Sequence, residues 1–294
     1  MPMKKKPSNK KEPLIGAHIS IAGGLYTAFE RANRVGCNVI QIFTKNSNQW
    51  KDPELLPEAV DRYWEARQAS NVKIVVSHSS YLINLCSVDK SLLAKSRKAF
   101  INEIDRCDKL GIELLVFHPG AHTTMDRNKA LSIVAESLNI AHDKTKNSSV
   151  ITLVETTAGQ GSVVGSRFEE IAEILSRVND KTRVGVCLDT CHVFAAGYDV
   201  RTDDSYKSVL EKFEHILNLK NLKVIHLNDS KKGLGSGADR HEHIGKGEIG
   251  IHAFKLIMND KRLMSIPKIL ETPKGKNGYE MDIVNLSTLR SLLD

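Results

Sequence analysis

The stretch Val150-Ile151-Thr152-Leu153-Val154-Glu155 is a short, almost wholly apolar run that ends in a carboxylate. This composition is typical of a strand buried on both faces, as the strands of a parallel sheet covered by helices must be. Seven further β-rich segments are predicted to be strands of the same kind, at residues 14–20, 39–44, 73–78, 114–118, 183–189, 223–228 and 268–271. The buried-strand pattern therefore recurs along nearly the whole chain.

The segments between the predicted strands carry apolar residues at helical spacing. Residues 130–141, 168–178 and 207–219 each place apolar side chains on one stripe, with polar residues between them. Eight alternations of strand and helix favour an α/β fold of the closed (β/α)₈ type, a TIM barrel, and 294 residues suit one such domain. A doubly wound open sheet is the structural alternative. It would usually show a Gly-rich phosphate loop after its first strand, and residues 18–24 do not match one.

Seven of the eight predicted strands end in His, Asp or Glu, and such ends converge on one face of a TIM barrel. The chain has nine metal-type side chains, most of which lie at or just beyond these ends: His78, His118, Glu155, Asp189, His192, His226, Asp239, His241 and Glu271. Imidazole and carboxylate without thiolate suit Zn²⁺ or Mn²⁺. Zinc takes about four ligands per ion and a carboxylate can bridge two ions, so nine ligands suit two or three metals better than one.

Two residues of this set, Asp239 and His241, lie close together in the sequence. Asp239 and His241 are separated by one residue, as in a loop that clasps a metal, and His192 is a plausible third ligand of an open site. His18 and His243 lie close to the set, but their roles as ligand supports, phosphate contacts or packing groups stay open. The other histidines have no evident partners, and we expect His122, His142, His215 and His252 to lie on the surface.

The net charge of +7 is uneven, because the first 13 residues supply +4 of it. We expect residues 1–13 to be a disordered basic tail and residues 14–294 to be the barrel domain. The tail would add nonspecific phosphate contacts or be a solvated segment without consequence. No apolar stretch approaches the roughly 20 residues of a membrane span, and no secretory signal follows the first lysines. We expect a cytoplasmic protein, associated with the nucleoid when it is bound to DNA, and without a membrane partner.

Five cysteines form an odd set without a C-x-x-C pair, which argues against a disulfide framework. Cys187, Asp189 and Cys191 are spaced by two and are predicted to share one face of a strand. We expect the thiols to be small buried groups rather than zinc ligands.

Nine short motifs, taken in order, make the chain resemble the endonuclease IV family of metal-dependent apurinic/apyrimidinic (AP) endonucleases. The similarity runs from about Leu14 to about Glu271. The motifs are Gly16-Ala17-His18-Ile19-Ser20, Phe43-Thr44-Lys45-Asn46, His78-Ser79-Ser80-Tyr81-Leu82-Ile83-Asn84-Leu85, Phe117-His118-Pro119-Gly120, Glu155-Thr156-Thr157-Ala158-Gly159-Gln160-Gly161, Leu188-Asp189-Thr190-Cys191-His192, His226-Leu227-Asn228-Asp229, Asp239-Arg240-His241 and Leu270-Glu271-Thr272. Each is modest evidence alone, and the ordered set is specific.

The resemblance implies a TIM barrel with three zinc ions, with Mn²⁺ possible at one position. By motif position the ions would be bound by His78, His118 and Glu155; by Glu155 as a bridge with Asp189, His226 and Glu271; and by His192, Asp239 and His241. Glu155 is the candidate catalytic residue. The implied reaction is hydrolysis of the phosphodiester 5′ to an abasic site in double-stranded DNA, leaving a 3′-hydroxyl, together with removal of groups that block 3′ ends. A monomer is expected, because the protein must wrap bent DNA.

The resemblance also implies that side chains after the second and third strands enter the duplex. Tyr81 and Leu82 occupy the matching positions after the third strand, with a local cap over the barrel mouth as their alternative role. Asn48 departs from the pattern, since a branch of the family has an arginine there. A shorter, neutral side chain would fill less of the base stack and make no charge-assisted contact, so we expect the DNA distortion to differ from that in this branch.

Two other functions remain open from the residues alone. Glu155, Asp189, His226 and Glu271 also resemble the single-metal site of a sugar isomerase or epimerase on a similar barrel. The other five metal-type residues favour the nuclease, because a one-metal enzyme has no need of them. A noncatalytic DNA-binding or metal-storing protein is less favoured, given the net charge of only +3 beyond the tail.

Overall fold

The computed structural model describes residues 12–294, in which eight parallel strands form a closed barrel surrounded by helices. The predicted TIM barrel is confirmed, whereas most of the predicted basic tail, residues 1–11, lies outside the described residues. In chain order the strands are Ile15–His18 (β1), Val39–Ile42 (β2), Ile74–His78 (β3), Leu114–Phe117 (β4), Ile151–Glu155 (β5), Val184–Asp189 (β6), Leu222–His226 (β7), Asp229–Ser230 (β8), His241–Glu242 (β9) and Lys268–Leu270 (β10). The helices are Thr27–Val35 (α1), Pro57–Gln68 (α2), Lys90–Lys109 (α3), Arg127–Lys144 (α4), Phe168–Arg177 (α5), Thr190–Ala195 (α6), Asp203–Leu217 (α7), Ile251–Asn259 (α8) and Glu280–Ser291 (α9).

The barrel strands pair in the order in which they follow one another along the chain. The sequence of neighbours is β1-β10-β7-β6-β5-β4-β3-β2, and parallel pairing of β1 with both β10 and β2 closes the barrel. Short strands joined by helical crossovers produce this order, because crossover connections between parallel strands are almost always right-handed. Strand β1 ends at His18 and not at residue 20 as predicted, since after one more hydrogen bond, from Ile19 N to Gln41 O at 2.7 Å, the chain leaves the sheet.

One apolar layer fills the middle of the barrel interior. It consists of a single fully buried residue from each of seven strands: Val39, Val76, Val116, Leu153, Cys187, Val224 and Ile269. The eighth strand, β1, contributes Gly16, where a Cβ atom would lie 1.6 Å from the carbonyl oxygen of Val39. Backbone packing at this point excludes any side chain, which accounts for glycine in an otherwise apolar strand.

A second and larger apolar core lies between the strands and the surrounding helices. Its largest fully buried side chains include Phe29, Tyr63, Phe100, Phe168 and Phe213, each on a different helix. These side chains form the buried stripes that the helical spacing predicts. Among the helices of residues 12–294, none has the combination of length and hydropathy that crossing a bilayer requires.

Two local features near the carboxyl ends of the strands differ from the sequence prediction. After β6 the chain turns at once into α6, because the Asp189 side chain accepts a hydrogen bond from His192 N at 2.9 Å and caps the helix. The prediction that Cys191 shares a strand face with Asp189 is therefore wrong, since Cys191 lies in the helix. The long loop after β7 contains a hairpin in which β8 pairs with β9 in antiparallel fashion.

Candidate metal centre

Above the apolar layer lies a polar layer inside the barrel. Side chains two residues apart on a strand point to the same face, so the residue two positions beyond each interior residue enters the same space. These positions hold His18, Gln41, His78, His118, Glu155, Asp189, His226 and Glu271. Six of the nine predicted ligands belong to this layer. The other three come from α6 and from the loop and hairpin strand after β7: His192, Asp239 and His241.

The nine predicted ligands come together in space as three groups. Within each group the candidate ligand atoms all lie within 4.8 Å of one another. The first group is His78, His118 and Glu155; the second is Glu155, Asp189, His226 and Glu271; the third is His192, Asp239 and His241. This grouping coincides with the division into three ions that the family resemblance implied. Their role as ligands stays a prediction.

Glu155 joins the first and second groups through its two carboxylate oxygens. Its Oε2 lies 3.0 Å from His78 Nε2 and 3.1 Å from His118 Nε2, while its Oε1 lies 3.0 Å from His226 Nδ1. His226 Nδ1 is also 3.2 Å from Glu271 Oε2. Tetrahedral zinc with bonds of about 2.0–2.1 Å separates neighbouring ligand atoms by about 3.3 Å. The donor atoms on both sides of Glu155 therefore have spacings that suit zinc.

The third group contains nitrogen atoms without hydrogen-bond partners. His192 Nε2 and His241 Nε2 are buried and make no hydrogen bond within residues 12–294. They lie 3.2 and 3.3 Å from Asp239 Oδ1, close enough for coordination of one ion but without hydrogen-bond geometry. Buried polar atoms are normally paired, so two unpaired imidazole nitrogens facing one carboxylate suit a cation. The Asp239 side chain is 42% exposed, which places this group at the mouth of the barrel.

Hydrogen bonds on the far side of the imidazole rings determine which nitrogen each histidine offers. A backbone carbonyl only accepts, so the ring nitrogen beside it carries the hydrogen and the opposite nitrogen keeps a free lone pair. The three Nδ1–carbonyl distances are 2.8 Å from His78 to Ser79, 2.8 Å from His192 to Thr156 and 3.1 Å from His241 to Glu271. Each of these rings therefore presents Nε2 to its group, as a ligand histidine requires.

Gln41 is a residue of this site that the sequence analysis missed. It is fully buried at the end of the polar layer on β2, where His226 Nε2 donates to its Oε1 at 2.8 Å. Its Nε2 donates to Glu271 Oε1 at 2.6 Å and lies 3.0 Å from His18 Nδ1. Gln41 thus leaves His226 Nδ1 free to face Glu155. A glutamine in the apolar run of β2, in phase with Val39, was the signal that could have revealed it.

Asn228 was also missed, although it lies in one of the motifs. It is fully buried, and its Nδ2 donates to Asp189 Oδ2 at 2.6 Å. Its Oδ1 accepts from the backbone nitrogen of Glu271 at 2.7 Å. Asn228 therefore connects the ends of β6 and β10, orients the Asp189 carboxylate and holds the backbone of Glu271.

Nearby imidazoles lower the pKa of three carboxylates in the groups, those of Glu155, Asp239 and Glu271. Burial alone would raise the pKa of Glu155, but the imidazoles of His226 and His118 outweigh it and hold that pKa well below its usual value. Burial would lower the pKa of His192, but nearby Asp189 and Asp239 raise it well above its usual value. Without a metal, protons on the imidazoles balance these carboxylates; a bound metal cation would displace those protons and balance the same negative charge.

The remaining histidines near and away from the site have different surroundings. His18 lies 3.5 Å from Glu271 Oε1, so it borders the second group, and its ring is tilted by 52° to that of Phe43 at 4.4 Å. His243 belongs to none of the three groups and lies 3.1 Å from Asn285, nitrogen to nitrogen. The prediction that His142 lies on the surface is wrong. Its side chain is buried against β5, where Nε2 lies 3.1 Å from Thr152 Oγ1.

Cys191 lies in helix α6, and its sulfur atom is close to the candidate ligands. Its sulfur lies within 4.8 Å of candidate ligand atoms of Asp189 and His241. Burial raises the pKa of this thiol to about 12, which favours the neutral form. A neutral buried thiol agrees with the expectation of a small packing group.

A cavity of about 530 Å³ opens beside the groups at the mouth of the barrel. Its wall includes His118, His192 and Asp239 together with Tyr81. Of the predicted DNA contacts, Tyr81 is 58% exposed with its ring 6.5 Å from that of His118, and Leu82 is half-buried beside it. Asn48 is exposed in the loop after β2, outside the cavity wall.

Comparison with known proteins identifies relatives over most of the chain. A family model described as the xylose isomerase-like TIM barrel matches residues 29–288. A protein from Trichlorobacter lovleyi named "Probable endonuclease 4" is 46% identical over 95% of this chain and 99% of its own length. The "Apurinic-apyrimidinic endonuclease" of Caenorhabditis elegans is 43% identical over 95% of this chain and 71% of its own.

A solved structure extends the similarity to the fold. The crystal structure of endonuclease IV from Thermus thermophilus has a TM-score of 0.83 and 37% identity, over 95% of this chain and 98% of that one. Such identity over almost the full length of both chains goes beyond a shared barrel. The chain belongs to the endonuclease IV family of the xylose isomerase-like TIM barrels.

Proposed function

We propose that the protein is a zinc-dependent AP endonuclease of base-excision repair. It hydrolyses the phosphodiester bond 5′ to an abasic site in double-stranded DNA and leaves a 3′-hydroxyl. The observation that carries this proposal is the convergence of nine His, Asp and Glu side chains in three linked groups. Relatives over 40% identical bear the names endonuclease 4 and apurinic-apyrimidinic endonuclease, which supports the same activity here.

Three zinc ions fit the donor set, with Mn²⁺ as an alternative at one position. Bound there, the ions would supply positive charge for the phosphate and lower the pKa of a coordinated water. Glu155 would contribute to the binding of both the first and the second ion, because its two oxygens face different groups. Asp189 would connect the second and third groups, since its Oδ2 lies 3.9 Å from His226 Nδ1 and 3.6 Å from His241 Nε2.

The cavity beside His118 and His192 would receive the abasic sugar and its 5′ phosphate. An abasic nucleotide leaves the helix at low cost, because it has no base to unstack. Exposed Tyr81 at the edge of the cavity would contact the DNA around the gap, with half-buried Leu82 next to it.

Hydrolysis on the 5′ side of an abasic site breaks the bond between phosphorus and a 3′ oxygen. Removal of a phosphate-linked group that blocks a 3′ end breaks that same bond, so we propose this second activity at the same site.

Strand cleavage of a duplex oligonucleotide with one abasic-site analogue tests the function. Zinc-loaded protein should cut once, directly 5′ to the lesion, and leave an undamaged duplex intact. Prolonged chelation should abolish the cut and added zinc should restore it. Glu155→Gln should lose the activity, whereas His215→Ala, which changes an exposed histidine on α7, should keep it. Absence of cleavage by zinc-replete wild-type protein would refute the proposal.

A sugar isomerase or epimerase remains the alternative, because Glu155, Asp189, His226 and Glu271 alone form a four-ligand group. Metal content separates the two functions. About three zinc ions per chain are expected for the nuclease, and about one for a single-metal isomerase. The first and third groups would have no function in the isomerase, which favours the nuclease.

A further inference from the structure

A cluster of four charged side chains lies beneath the loop that joins β2 to α2. Lys45 Nζ is 3.3 Å from Asp52 and 3.8 Å from Glu103, and Arg106 is 3.9 Å from Asp52. Lys45 and Glu103 are almost fully buried, at 5% and 1% exposure. We call these four residues, Lys45, Asp52, Glu103 and Arg106, the loop clamp. None of them belongs to the three ligand groups.

The loop clamp holds both ends of the β2–α2 loop, residues 43–56, against helix α3. At the start of the loop, Arg106 donates to the Thr44 carbonyl at 2.6 Å, and Thr44 Oγ1 donates to Glu103 at 2.9 Å. At the end of the loop, Arg106 donates to the Pro53 carbonyl at 2.7 Å. Asn102 of α3 also donates to Asp52. One face of α3 therefore spans the base of the loop.

The loop held in this way borders the proposed catalytic site. The Phe43 ring lies 5.8 Å from that of His78 and 5.3 Å from that of Tyr81. Ser80 donates to the Ser47 carbonyl at 2.6 Å, so the loops after β2 and β3 are joined. Displacement of the β2–α2 loop would therefore move the edge of the site where substrate contacts are made in TIM barrels.

Stability alone does not account for the loop clamp. A buried set of charges carries a desolvation cost, and well-packed apolar residues of similar volume are often as stabilising. Charged groups add hydrogen bonds and ion pairs of fixed geometry, because each donor must meet a particular acceptor. Here those acceptors are the two ends of a surface loop.

We propose that the loop clamp preforms the β2–α2 loop as part of the DNA-binding surface and that Lys45 is a positioning residue for DNA binding. Lys45 does not touch the reacting atoms in this role. It keeps Asp52 and Glu103 in place, and they in turn hold the loop. The inference rests on the proposed function, because DNA is the ligand whose binding the loop would serve.

Lys45→Met tests the proposal against a matched control. Lys268→Met removes a second buried lysine, 3% exposed, at the opposite end of the barrel, where Nζ donates to the Leu263 and Ile266 carbonyls. A folded Lys45→Met protein is expected, because burial already raises the pKa of Glu103 and this carboxylate can take up a proton. Lys45→Met should raise KM for the abasic duplex by about tenfold to a hundredfold, with kcat changed by less than about twofold and zinc content unchanged. Lys45→Arg should restore most of the binding, and Lys268→Met should leave KM unchanged.

Trp50 supplies a readout that does not depend on activity. It lies in the loop, with Lys95 Nζ 4.4 Å from its ring, and the chain has one other tryptophan, Trp64. In a Trp64→Phe background, fluorescence anisotropy of Trp50 should fall and acrylamide quenching should rise when Lys45 becomes Met. Lys268→Met should alter neither.

The outcomes separate the inference from the proposed function. If wild-type protein fails to cut abasic DNA, the proposed function fails and Trp50 still reports whether the loop is clamped. If wild-type protein cuts, an unchanged KM in Lys45→Met overturns the inference. An equal rise of KM in Lys268→Met would overturn it as well, because general destabilisation would then be the cause.

Discussion

Gln41 is uncharged, yet it contacts two of the proposed ligands at once. Its amide accepts from His226 and donates to Glu271, so it determines the tautomer of the one and the orientation of the other. Partners of this kind typically contribute a factor of about 10 to 100 to metal affinity. The amide suits the position because it offers a donor and an acceptor without adding charge.

Gln41→Leu should weaken zinc binding at the second group by about 10- to 100-fold. The apolar side chain leaves His226 Nε2 without its acceptor and frees Glu271 to rotate. Competition with a chromophoric chelator measures the affinity, and elemental analysis gives the zinc content. Gln49→Leu, a change on the exposed loop, should have no effect. Wild-type affinity in Gln41→Leu would show that the amide does not support the site.

Asn48 is exposed in the loop after β2, where its own backbone nitrogen donates to Asn46 Oδ1 at 2.9 Å. Asn48→Arg should tighten binding to abasic duplex DNA, because a longer cation can reach a phosphate or the base stack. Fluorescence anisotropy of labelled duplexes, with and without the lesion, measures the gain. No change in affinity would remove Asn48 from the DNA contacts.

His142 links stability to pH at a position remote from the metal groups. Burial lowers its pKa from 6.5 to about 4, so the unfolded chain takes up a proton before the folded protein does. This contribution to stability is therefore present above about pH 6.5 and is lost as the pH falls toward about 4. Between pH 7.5 and pH 5, His142→Gln should lose about 2 kcal/mol less unfolding free energy than wild type. Urea unfolding at both pH values measures the difference, and equal losses in the two proteins would contradict it.

The residues differ in how far the sequence could predict them. The nine candidate ligands stood out because most of them are metal-type side chains at or just beyond the end of an apolar run, and Asp239 and His241 have the D-x-H spacing. Gln41 and Asn228 were missed because amides are common and only their neighbours in space give them a role. His142 was misplaced because its acceptor, Thr152, comes from a strand that only folding brings near.

Among the elements, the β8–β9 hairpin has the largest effect on the site. Asp229 of β8 is fully buried and accepts from the backbone nitrogens of Ser230, Gly247 and Ile249 at 2.8–3.0 Å. This one carboxylate holds the base of the segment that brings Asp239 and His241 to the barrel mouth. The spacing of Asp239 and His241 predicted a metal-binding loop here, but two-residue strands are too short to show a β pattern.

Asp229→Ala should remove the zinc of the third group while the other groups keep theirs. Three backbone donors lose their acceptor, so the hairpin loosens and Asp239 and His241 separate from His192. Zinc content should fall from about three to about two per chain. Thr202→Ala is a matched control, because it removes the capping box of α7 at a cost of about 1 kcal/mol without touching the hairpin. An unchanged zinc content in Asp229→Ala would contradict this role.

At the scale of the whole molecule, the barrel interior is divided into an apolar layer and a polar layer. The sequence predicted the barrel because eight buried strands alternated with helices. It could not show the layering directly, since the register between strands is set by packing, as the approach of the β1 backbone to Val39 at Gly16 illustrates. Bound metal ions would stabilise the polar layer, where apolar contacts are few.

Removal of zinc should therefore lower the melting temperature. Each site that is saturated at 100 times its Kd adds about 2.7 kcal/mol, so three sites correspond to a shift of roughly 15 °C or more. Calorimetry of stripped, zinc-restored and magnesium-treated protein measures it, and only zinc should restore the full value. Equal melting temperatures with and without zinc would mean that the three groups do not hold ions tightly.

The closure of the barrel between β1 and β10 also sets an order of events during synthesis. Chains emerge from the ribosome amino end first, and domains fold as units once they are complete. Glu271 follows the last barrel strand, and the second group needs it. The complete set of ligands therefore forms only after residue 271 has been made. A growing chain on a polysome would thus carry no working nuclease until the barrel closes.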